Sequence, residues 1–185
     1  MEVSEELFKP LAVLSPKAPD QNESSPETRE GIIIHKLLEI LSVSSTHTDQ
    51  QLLNRISLET QHECSLDELR LFKQEVLHCM DNSLIKNVFE LDQNQQAYNE
   101  FAIATTEKQH NIHIIDRLIV SEQLAWIIDF KTQANVRDDN AMEQAELHRA
   151  QLKRYKAAVK SLYPDLQIRC SIVFTKLPVL VDLEI

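Results

Sequence analysis

The stretch IHIIDRLIVSEQLAWIIDFKT, residues 112–132, decides the fold because it reads as two adjacent β-strands joined by a short polar turn. β-Branched and aromatic residues dominate both halves over lengths that are typical of strands. Asp116, Asp129 and Lys131 nevertheless interrupt this apolar run. A buried charge is costly unless it is paired, hydrogen-bonded or bound to a metal ion. The segment therefore predicts that the three charged side chains form one site within a sheet.

An antiparallel hairpin would bring Asp129 to the level of Asp116, so that the two carboxylates share one site. Two negative charges at such a distance repel each other, and a bound divalent cation would relieve this repulsion. Lys131 lies two residues after Asp129 and therefore on the same face of the strand. There it can steer or help deprotonate a water and neutralise a developing oxyanion. On these three residues alone, ordinary surface salt bridges are the more common interpretation.

Composition and charge exclude several classes of protein. With 185 residues, 43% of them hydrophobic and 26% charged, the chain has the length and composition of one globular domain. Its single glycine, Gly31, excludes Gly-rich phosphate loops. The formal net charge of −10 argues against nucleic-acid binding over the whole surface and leaves a local basic groove open. The three cysteines, too few and too scattered for a disulfide framework or a zinc site, are expected to be reduced packing residues.

The sequence also predicts a location and a domain boundary. No apolar run approaches the roughly 20 residues that cross a bilayer, and the N-terminus lacks a basic signal region. We therefore expect a cytoplasmic protein without a membrane partner. Residues 15–29 are rich in Pro, Ser, Asn and Asp, a composition typical of a linker. This predicts an N-terminal segment and flexible linker over 1–29, followed by one domain over 30–185.

Helical periodicity comes first along the chain, and strand-like segments follow. The first predicted helix begins near Thr28 or Arg29. Further helices are predicted over 49–62, 65–80, 82–90 and 138–164, and Pro164 ends the last of them. The predicted strands are NEFAIAT, IHIIDRLIV, LAWIIDFKT and IRCSIVFT, with a possible edge strand in 178–185. Three neighbouring strands predict a meander, and the long helix permits a crossover to a parallel fourth strand. The order predicts an α/β fold with a central mixed sheet flanked by helices and an N-terminal helical region.

Five short motifs, in order, make the chain resemble the RecB and AddA type nuclease domains of the PD-(D/E)xK superfamily. GIIIHKLLE resembles the GxxxH helix that opens these domains, and QLKRY resembles their QxxxY motif. The three motifs between them are NEFAI with Glu100, IIDRL with Asp116 and WIIDFKT with Asp129 and Lys131. The resemblance covers about residues 30–176 and implies a restriction-endonuclease-like core.

The resemblance also implies roles for individual residues. Mg²⁺ or Mn²⁺ would be held by His35, Asp116, Asp129 and the backbone carbonyl of Phe130, ligands that suit hard ions better than zinc. Lys131 would position the nucleophile, and Glu100 would have a catalytic or supporting role. Gln151 and Tyr155 would orient the DNA phosphate or the active-site side chains. Basic side chains that are plausible phosphate contacts are Arg117, Arg149, Lys153, Arg154 and Lys156.

Such domains usually form the C-terminal module of a UvrD or RecB type helicase. The resemblance therefore implies a DNA exonuclease on single-stranded DNA in repair and recombination, with a helicase domain of the same polypeptide and a possible second subunit as partners. The four cysteines of iron–sulfur relatives are missing, which places the chain nearer the AddA and RecB branch. Two alternatives stay open: a catalytically inactive nuclease fold that binds DNA or docks a protein, and a free-standing exonuclease.

Overall fold

A five-stranded mixed sheet forms the centre of the computed structural model, which describes residues 28–104 and 112–185. The strands are β1 (Gln96–Ala104), β2 (Ile112–Val120), β3 (Leu124–Lys131), β4 (Gln167–Phe174) and β5 (Val179–Asp182), side by side in that order. β1, β2 and β3 pair antiparallel, β3 and β4 pair parallel, and β5 returns antiparallel to β4. The predicted meander, parallel fourth strand and edge strand are confirmed. Most of the predicted N-terminal segment and linker lies outside the described residues.

Three capped helices precede the sheet. They are α1 (Arg29–Val43), α2 (Asp49–Thr60) and α3 (Leu66–Asp81). The hydroxyl of Thr28 accepts a hydrogen bond from the Gly31 amide, so α1 begins where the sequence predicts. The predicted capping box of Ser65 and Glu68 at the start of α3 is also present.

The predicted helix over 82–90 is wrong, because only a short 3₁₀ turn at Lys86–Val88 forms there. The side chain of Asn82 accepts a hydrogen bond from the Leu84 amide, which closes a local turn that competes with a helix. Ile85 and Val88 are both fully buried, so the segment instead anchors two side chains in the core.

The predicted long helix over 138–164 is in fact two helices, α4 (Ala141–Glu146) and α5 (Arg149–Leu162). The break at Leu147 and His148 contains neither Gly nor Pro. Its physical reason is tertiary packing, since α4 lies against β5 whereas α5 packs on β1, β3 and β4. The break allows each helix to pack against its own set of strands. No described helix has the length and apolar character needed to cross a membrane.

Each face of the sheet carries its own hydrophobic cluster. Helices α1 to α3 pack with Trp126, Ile128 and Phe130 on one face. Helices α4 and α5 pack with Ala125 and Ile127, the alternate residues of β3, on the other face. The predicted α/β architecture, a mixed sheet flanked by helices with an N-terminal helical region, is confirmed. Free cysteines lie within it as packing residues, two of them buried.

Candidate active site

The pairing of β2 with β3 brings Asp116 and Asp129 into one site. Arg117 lies opposite Ile128, which places the preceding Asp116 at the level of Asp129. The Oδ2 atom of Asp116 accepts a hydrogen bond of 2.7 Å from the Phe130 amide across the two strands. Asp129 is 1% exposed, and its Oδ2 atom lies 2.7 Å from the Lys131 ammonium nitrogen. The hairpin therefore produces the carboxylate, carboxylate and lysine cluster expected from the opening stretch.

Helix α5 supplies a second contact to Asp129. Gln151 Nε2 donates a hydrogen bond of 3.0 Å to Asp129 Oδ1 and another of 2.8 Å to the Tyr155 hydroxyl oxygen. Both amide hydrogens of Gln151 are thus used, and the side chain has one orientation. Gln151 and Tyr155 lie one helical turn apart, so one face of α5 fixes the rotation of the Asp129 carboxylate.

His35 approaches the same cluster from α1, on the other helical layer. Its Nδ1 atom lies 3.7 Å from Asp116 Oδ1, which is too long for a hydrogen bond, and its ring meets the edge of Phe130. Gly31, one turn before His35, permits this approach: a Cβ atom there would lie 3.0 Å from Thr132 Oγ1 at the end of β3. The glycine thus lets the start of α1 lie close against the strand end.

Glu100 lies on β1 at the register level of Asp116, between the pairs Asn99–Arg117 and Phe101–Ile115. Its φ of 49° is in the left-handed region, which is rare for a residue other than glycine and concentrates at functional sites. Desolvation, and next the charge of Asp116, raise the pKa of the Glu100 carboxyl to about 7. Glu100 is nevertheless an exposed residue, so its carboxyl group is in reach of solvent.

The electrostatics of the cluster favour an incoming cation at the carboxylates. Burial raises the pKa of Asp116 to about 6, and the charge of Asp129 adds to the rise against the opposing effect of His35. Burial alone would lower the pKa of Lys131, but the carboxylates of Asp129 and Asp116 outweigh it and hold that pKa above its ordinary value. Burial and the Asp129 charge raise the pKa of Tyr155, which therefore stays a neutral phenol.

The divalent ion that the resemblance implies would need oxygen ligands from this cluster. Among residues 28–104 and 112–185, no three His, Cys, Asp or Glu side chains form a ready-made metal cluster. Asp129 Oδ2 is nevertheless a buried oxygen whose ion-pair partner is the Lys131 ammonium at 2.7 Å, and Asp116 Oδ1 lies 3.7 Å from His35 Nδ1, beyond hydrogen-bonding distance. Mg²⁺ typically takes only one or two protein carboxylates and completes its shell with waters and substrate phosphates. The residues therefore fit such an ion.

One predicted phosphate contact, Arg117, does not lie at the site. Arg117 is 2% exposed, so its prediction as a phosphate contact is wrong. Its guanidinium donates to the Val88 carbonyl at 2.8 Å and to Asn99 Oδ1 at 2.6 Å, and it lies over the Phe89 ring. Consecutive strand residues point to opposite faces, so Asp116 faces the site while Arg117 enters the core under α1.

Two other predicted phosphate contacts are tied to nearby acceptors. The Arg149 guanidinium bonds both carboxylate oxygens of Glu146 and the Glu184 carbonyl, and the Lys156 ammonium donates to the Ile185 carbonyl. Their positive charge still lies on α5, but they are not held toward the carboxylates.

His148 matches no family motif, and the sequence does not predict it as a site residue. Its Nε2 atom is buried without a hydrogen-bond partner, and the charges of Lys131 and Asp129 act on its ring. The signal that could have found it is its position three residues before Gln151, on the same helical face.

One comparison with known proteins, that with a family model, agrees with this architecture. The family model described as the PD-(D/E)XK nuclease superfamily matches residues 11–183. A search of curated protein sequences finds no significant match. Among solved structures, the chain is similar to the protein VC1899 from Vibrio cholerae, with 15% identity and a TM-score of 0.32. That match covers 82% of this chain and 48% of the other, so the chain spans about half the length of that protein. The extent of the family match shows that this chain belongs to the PD-(D/E)XK nuclease superfamily.

Proposed function

We propose that the protein is a Mg²⁺- or Mn²⁺-dependent deoxyribonuclease that acts as an exonuclease on single-stranded DNA. One observation carries this proposal: a buried Asp129 is held between Lys131 and Gln151, beside an Asp116 that the Phe130 amide fixes. A merely structural ion pair would need neither the second carboxylate nor the oriented amide.

The proposed ligands are Asp116, Asp129, His35 and the Phe130 carbonyl. A divalent cation bound there would supply Lewis-acid polarisation of the scissile phosphate and would lower the pKa of its bound water. The chain itself supplies the geometry. Phe130 joins the two carboxylates because its amide bonds Asp116, while its neighbours in sequence are Asp129 and Lys131.

Lys131 is proposed to hold the nucleophile and to neutralise charge that develops on the phosphate. Its raised pKa keeps the side chain protonated, so it acts as a cation and not as a free base. Gln151 and Tyr155 are proposed to orient Asp129, and Glu100 to exchange a proton at the opening of the site, since its pKa of about 7 lies near neutral pH.

We also propose the biological setting that the RecB and AddA resemblance implies. The domain over 30–185 would serve as the C-terminal module of a cytoplasmic helicase-nuclease in DNA repair and recombination, tethered by the segment over 1–29 to a helicase domain and joined by a possible second subunit. The net charge of −10 supports tethering, because a linked nuclease receives DNA at high effective concentration and needs little affinity of its own.

The experiment that tests the proposed activity is a nuclease assay on end-labelled single-stranded and double-stranded DNA with Mg²⁺ or Mn²⁺. We expect cleavage by the wild-type chain and loss of at least about a hundredfold in Asp129→Ala and Lys131→Ala, as for transition-state contacts elsewhere. Arg70→Ala, which removes an exposed cation of α3, is the matched control and should cleave like wild type. Equal activity in all four proteins would contradict the mechanism.

The alternative of an inactive DNA-binding or docking module makes a different prediction. Such a module should show no Mn²⁺ binding that depends on Asp116 and Asp129. Calorimetric titration of Mn²⁺ into the wild type and Asp116→Asn separates the two functions, because only a nuclease should lose heat of binding in the variant. The presence of Asp116, Asp129 and Lys131 together, with Lys131 paired to Asp129, supports the nuclease.

A further inference from the structure

A series of ring contacts reaches the active site from Phe89, the residue after the short 3₁₀ turn at Lys86–Val88. The Phe89 ring stacks on the Phe130 ring, with centroids 5.9 Å apart and planes 11° apart. The His35 ring meets Phe130 nearly at right angles, at 86° and 6.4 Å. Both distances lie in the range in which aromatic pairs attract each other. The Phe130 side chain, which is 4% exposed, is thus held by rings from two different elements.

Arg117 fixes Phe89 from within the core. Its guanidinium carbon lies 5.6 Å from the centroid of the Phe89 ring, within the range of a cation–π contact. Its Nε atom donates a hydrogen bond of 2.8 Å to the carbonyl of Val88, the residue before Phe89. The same guanidinium donates to Asn99, whose amide in turn donates to the Glu39 carbonyl of α1. Arg117 therefore holds both the ring and the backbone at Phe89 and ties them to α1.

The backbone of Phe130 lies at the centre of the proposed ligand set. Its amide bonds Asp116 Oδ2 at 2.7 Å, its carbonyl is itself a proposed ligand, and Asp129 precedes it in β3. A site keeps its geometry only when the side chains around it are locked by packing, and a looseness of about 1 Å is enough to impair it. A displaced Phe130 would therefore disturb the proposed ligands of β2 and β3 together, and would also deprive His35 of its ring contact.

Packing alone does not account for a guanidinium at this place. Arg117 is 2% exposed, and its acceptors, the Val88 carbonyl and the Asn99 side-chain oxygen, are neutral groups. A buried charge with neutral partners costs more free energy than an apolar side chain of the same size. The flat, forked guanidinium can, however, bond a backbone carbonyl and cover an aromatic ring at once. The contacts thus favour a role in placing Phe89 over a role in stability.

We propose that Phe89, held by Arg117, is a positioning residue for the metal ligands of the active site and acts through the Phe130 ring. This inference rests on the proposed function, because it concerns the same divalent ion. It gives a role to Phe89, which lies outside the family motifs, and a new role to Arg117. Replacing the Phe89 ring by an aliphatic side chain should weaken metal binding although every proposed ligand is still present.

The test measures the affinity for Mn²⁺ by calorimetry, without DNA and without cleavage. We expect about 10–100-fold weaker binding in Phe89→Leu, the usual effect of losing a group that supports a ligand, and wild-type affinity in Phe89→Tyr, which keeps the ring. Phe72→Leu is the matched control, because Phe72 is another half-buried ring of the same hydrophobic cluster and its helix, α3, carries no proposed ligand. This control should lose similar stability in thermal unfolding and bind Mn²⁺ like wild type.

Amide hydrogen exchange follows the same contact in the metal-free protein. The Phe130 amide, which bonds Asp116, should exchange faster in Phe89→Leu than in Phe72→Leu. The other amides of β3 should exchange alike in the two variants, because the loss of stability is matched.

A double-mutant cycle tests whether Arg117 acts through Phe89. Arg117→Lys keeps the positive charge and loses the flat fork. We expect it to weaken Mn²⁺ binding in the wild-type background and to have no further effect in Phe89→Leu. The same variant supplies both the calorimetric and the exchange measurement if Phe89→Leu does not fold.

Wild-type affinity for Mn²⁺ in Phe89→Leu, an equal loss in Phe72→Leu, or no recovery in Phe89→Tyr would overturn the role of Phe89 and leave the proposed function standing. Exchange of the Phe130 amide that is the same in Phe89→Leu and Phe72→Leu would overturn it as well. Additive effects of Arg117→Lys and Phe89→Leu would overturn the role of Arg117. A wild-type protein that binds no Mn²⁺ would overturn the proposed function and, with it, this inference.

Discussion

Gln151 is the residue that limits the freedom of Asp129, because its amide joins Asp129 Oδ1 to the Tyr155 hydroxyl. We expect Gln151→Ala to fold normally and to lose about 10–100-fold in metal affinity or activity, as is common when a residue that supports a ligand is removed. Metal titration and steady-state kinetics measure the two effects. Gln144→Ala is the control, since Gln144 of α4 bonds Gln133 and not Asp129. Equal losses in both variants would contradict the assigned role.

Asp116 makes the stability of the metal-free protein depend on pH. Its pKa is raised from 3.8 to about 6, and that of Glu100 from 4.5 to about 7. A carboxyl group whose pKa is higher in the folded state stabilises the fold below its unfolded pKa, and this contribution is lost as pH rises through the folded pKa. Stability should therefore fall between about pH 4 and pH 7 through these two groups.

Asp116→Asn removes one of the two groups and tests this prediction. The measured quantity is the Tm of the variant minus the Tm of wild type, both in buffer with EDTA. This difference should rise by a few degrees between about pH 5 and pH 8, because about 1 kcal/mol shifts the Tm of a chain of this size by about 2–4 °C. Mn²⁺ at the higher pH should raise the Tm of wild type and not that of the variant. A Tm difference that stays constant with pH would show that Asp116 ionises normally.

At the scale of single residues, the sequence predicts which charged side chains lie close together. It does not predict on which face of the sheet each of them lies. Strand spacing brings Asp116, Asp129 and Lys131 together and helical spacing places Gln151 and Tyr155 on one face, whereas their roles in one site come from the family resemblance. Arg117 is among the predicted phosphate contacts, yet its partners are the Val88 carbonyl and Asn99, which no local pattern connects to it.

Among the elements, α3 is the helix whose start is most strongly fixed. The Ser65 hydroxyl accepts from the Glu68 amide, while the Glu68 carboxylate accepts from the Ser65 amide and from the Arg29 guanidinium at the start of α1. We expect Ser65→Ala to lower the free energy of unfolding by about 1 kcal/mol, the usual effect of a lost N-cap. Urea denaturation measures it. Ser57→Ala, at an exposed position inside α2, should be neutral or slightly stabilising; a loss equal to that of Ser65→Ala would show that the cap contributes nothing.

The elements that the sequence predicts well are those with local signals at their ends. Caps define the starts of α1 and α3, and segments rich in β-branched and aromatic residues define β2 and β3. The split between α4 and α5 has no such signal, because residues 141–162 contain neither Gly nor Pro and the break follows from packing on different strands. The short turn at Lys86–Val88 depends likewise on Ile85 and Val88 entering the core.

For the whole molecule, the site joins the two helical layers through one sheet. His35 comes from α1 on one face, whereas Gln151 comes from α5 on the other, and β2 and β3 carry the carboxylates between them. Periodicity alone could not pair His35 with residues about eighty positions later in the chain. The family resemblance predicted that pairing, and the sheet order explains it, because the central β3 lies under both layers.

A site built from both layers requires that the layers unfold together. Leu37 of α1 and Leu152 of α5 are each fully buried, in the clusters on opposite faces of the sheet. We expect Leu37→Ala and Leu152→Ala each to cost about 2–5 kcal/mol of stability. Neighbouring β3 residues contribute to both clusters, so each variant should still unfold in a single transition.

Circular dichroism follows the helices of both layers, while the fluorescence of Trp126, the single tryptophan of the chain, reports on the α1 side of β3. In each variant the two signals should change at the same urea concentration, as two-state unfolding requires. If Leu152→Ala lowered the dichroism midpoint and left the Trp126 midpoint unchanged, α5 would unfold independently of the sheet. Gln151 could then not hold Asp129 with the rigidity that the proposed catalysis needs, because its helix would separate from β3 without disturbing it.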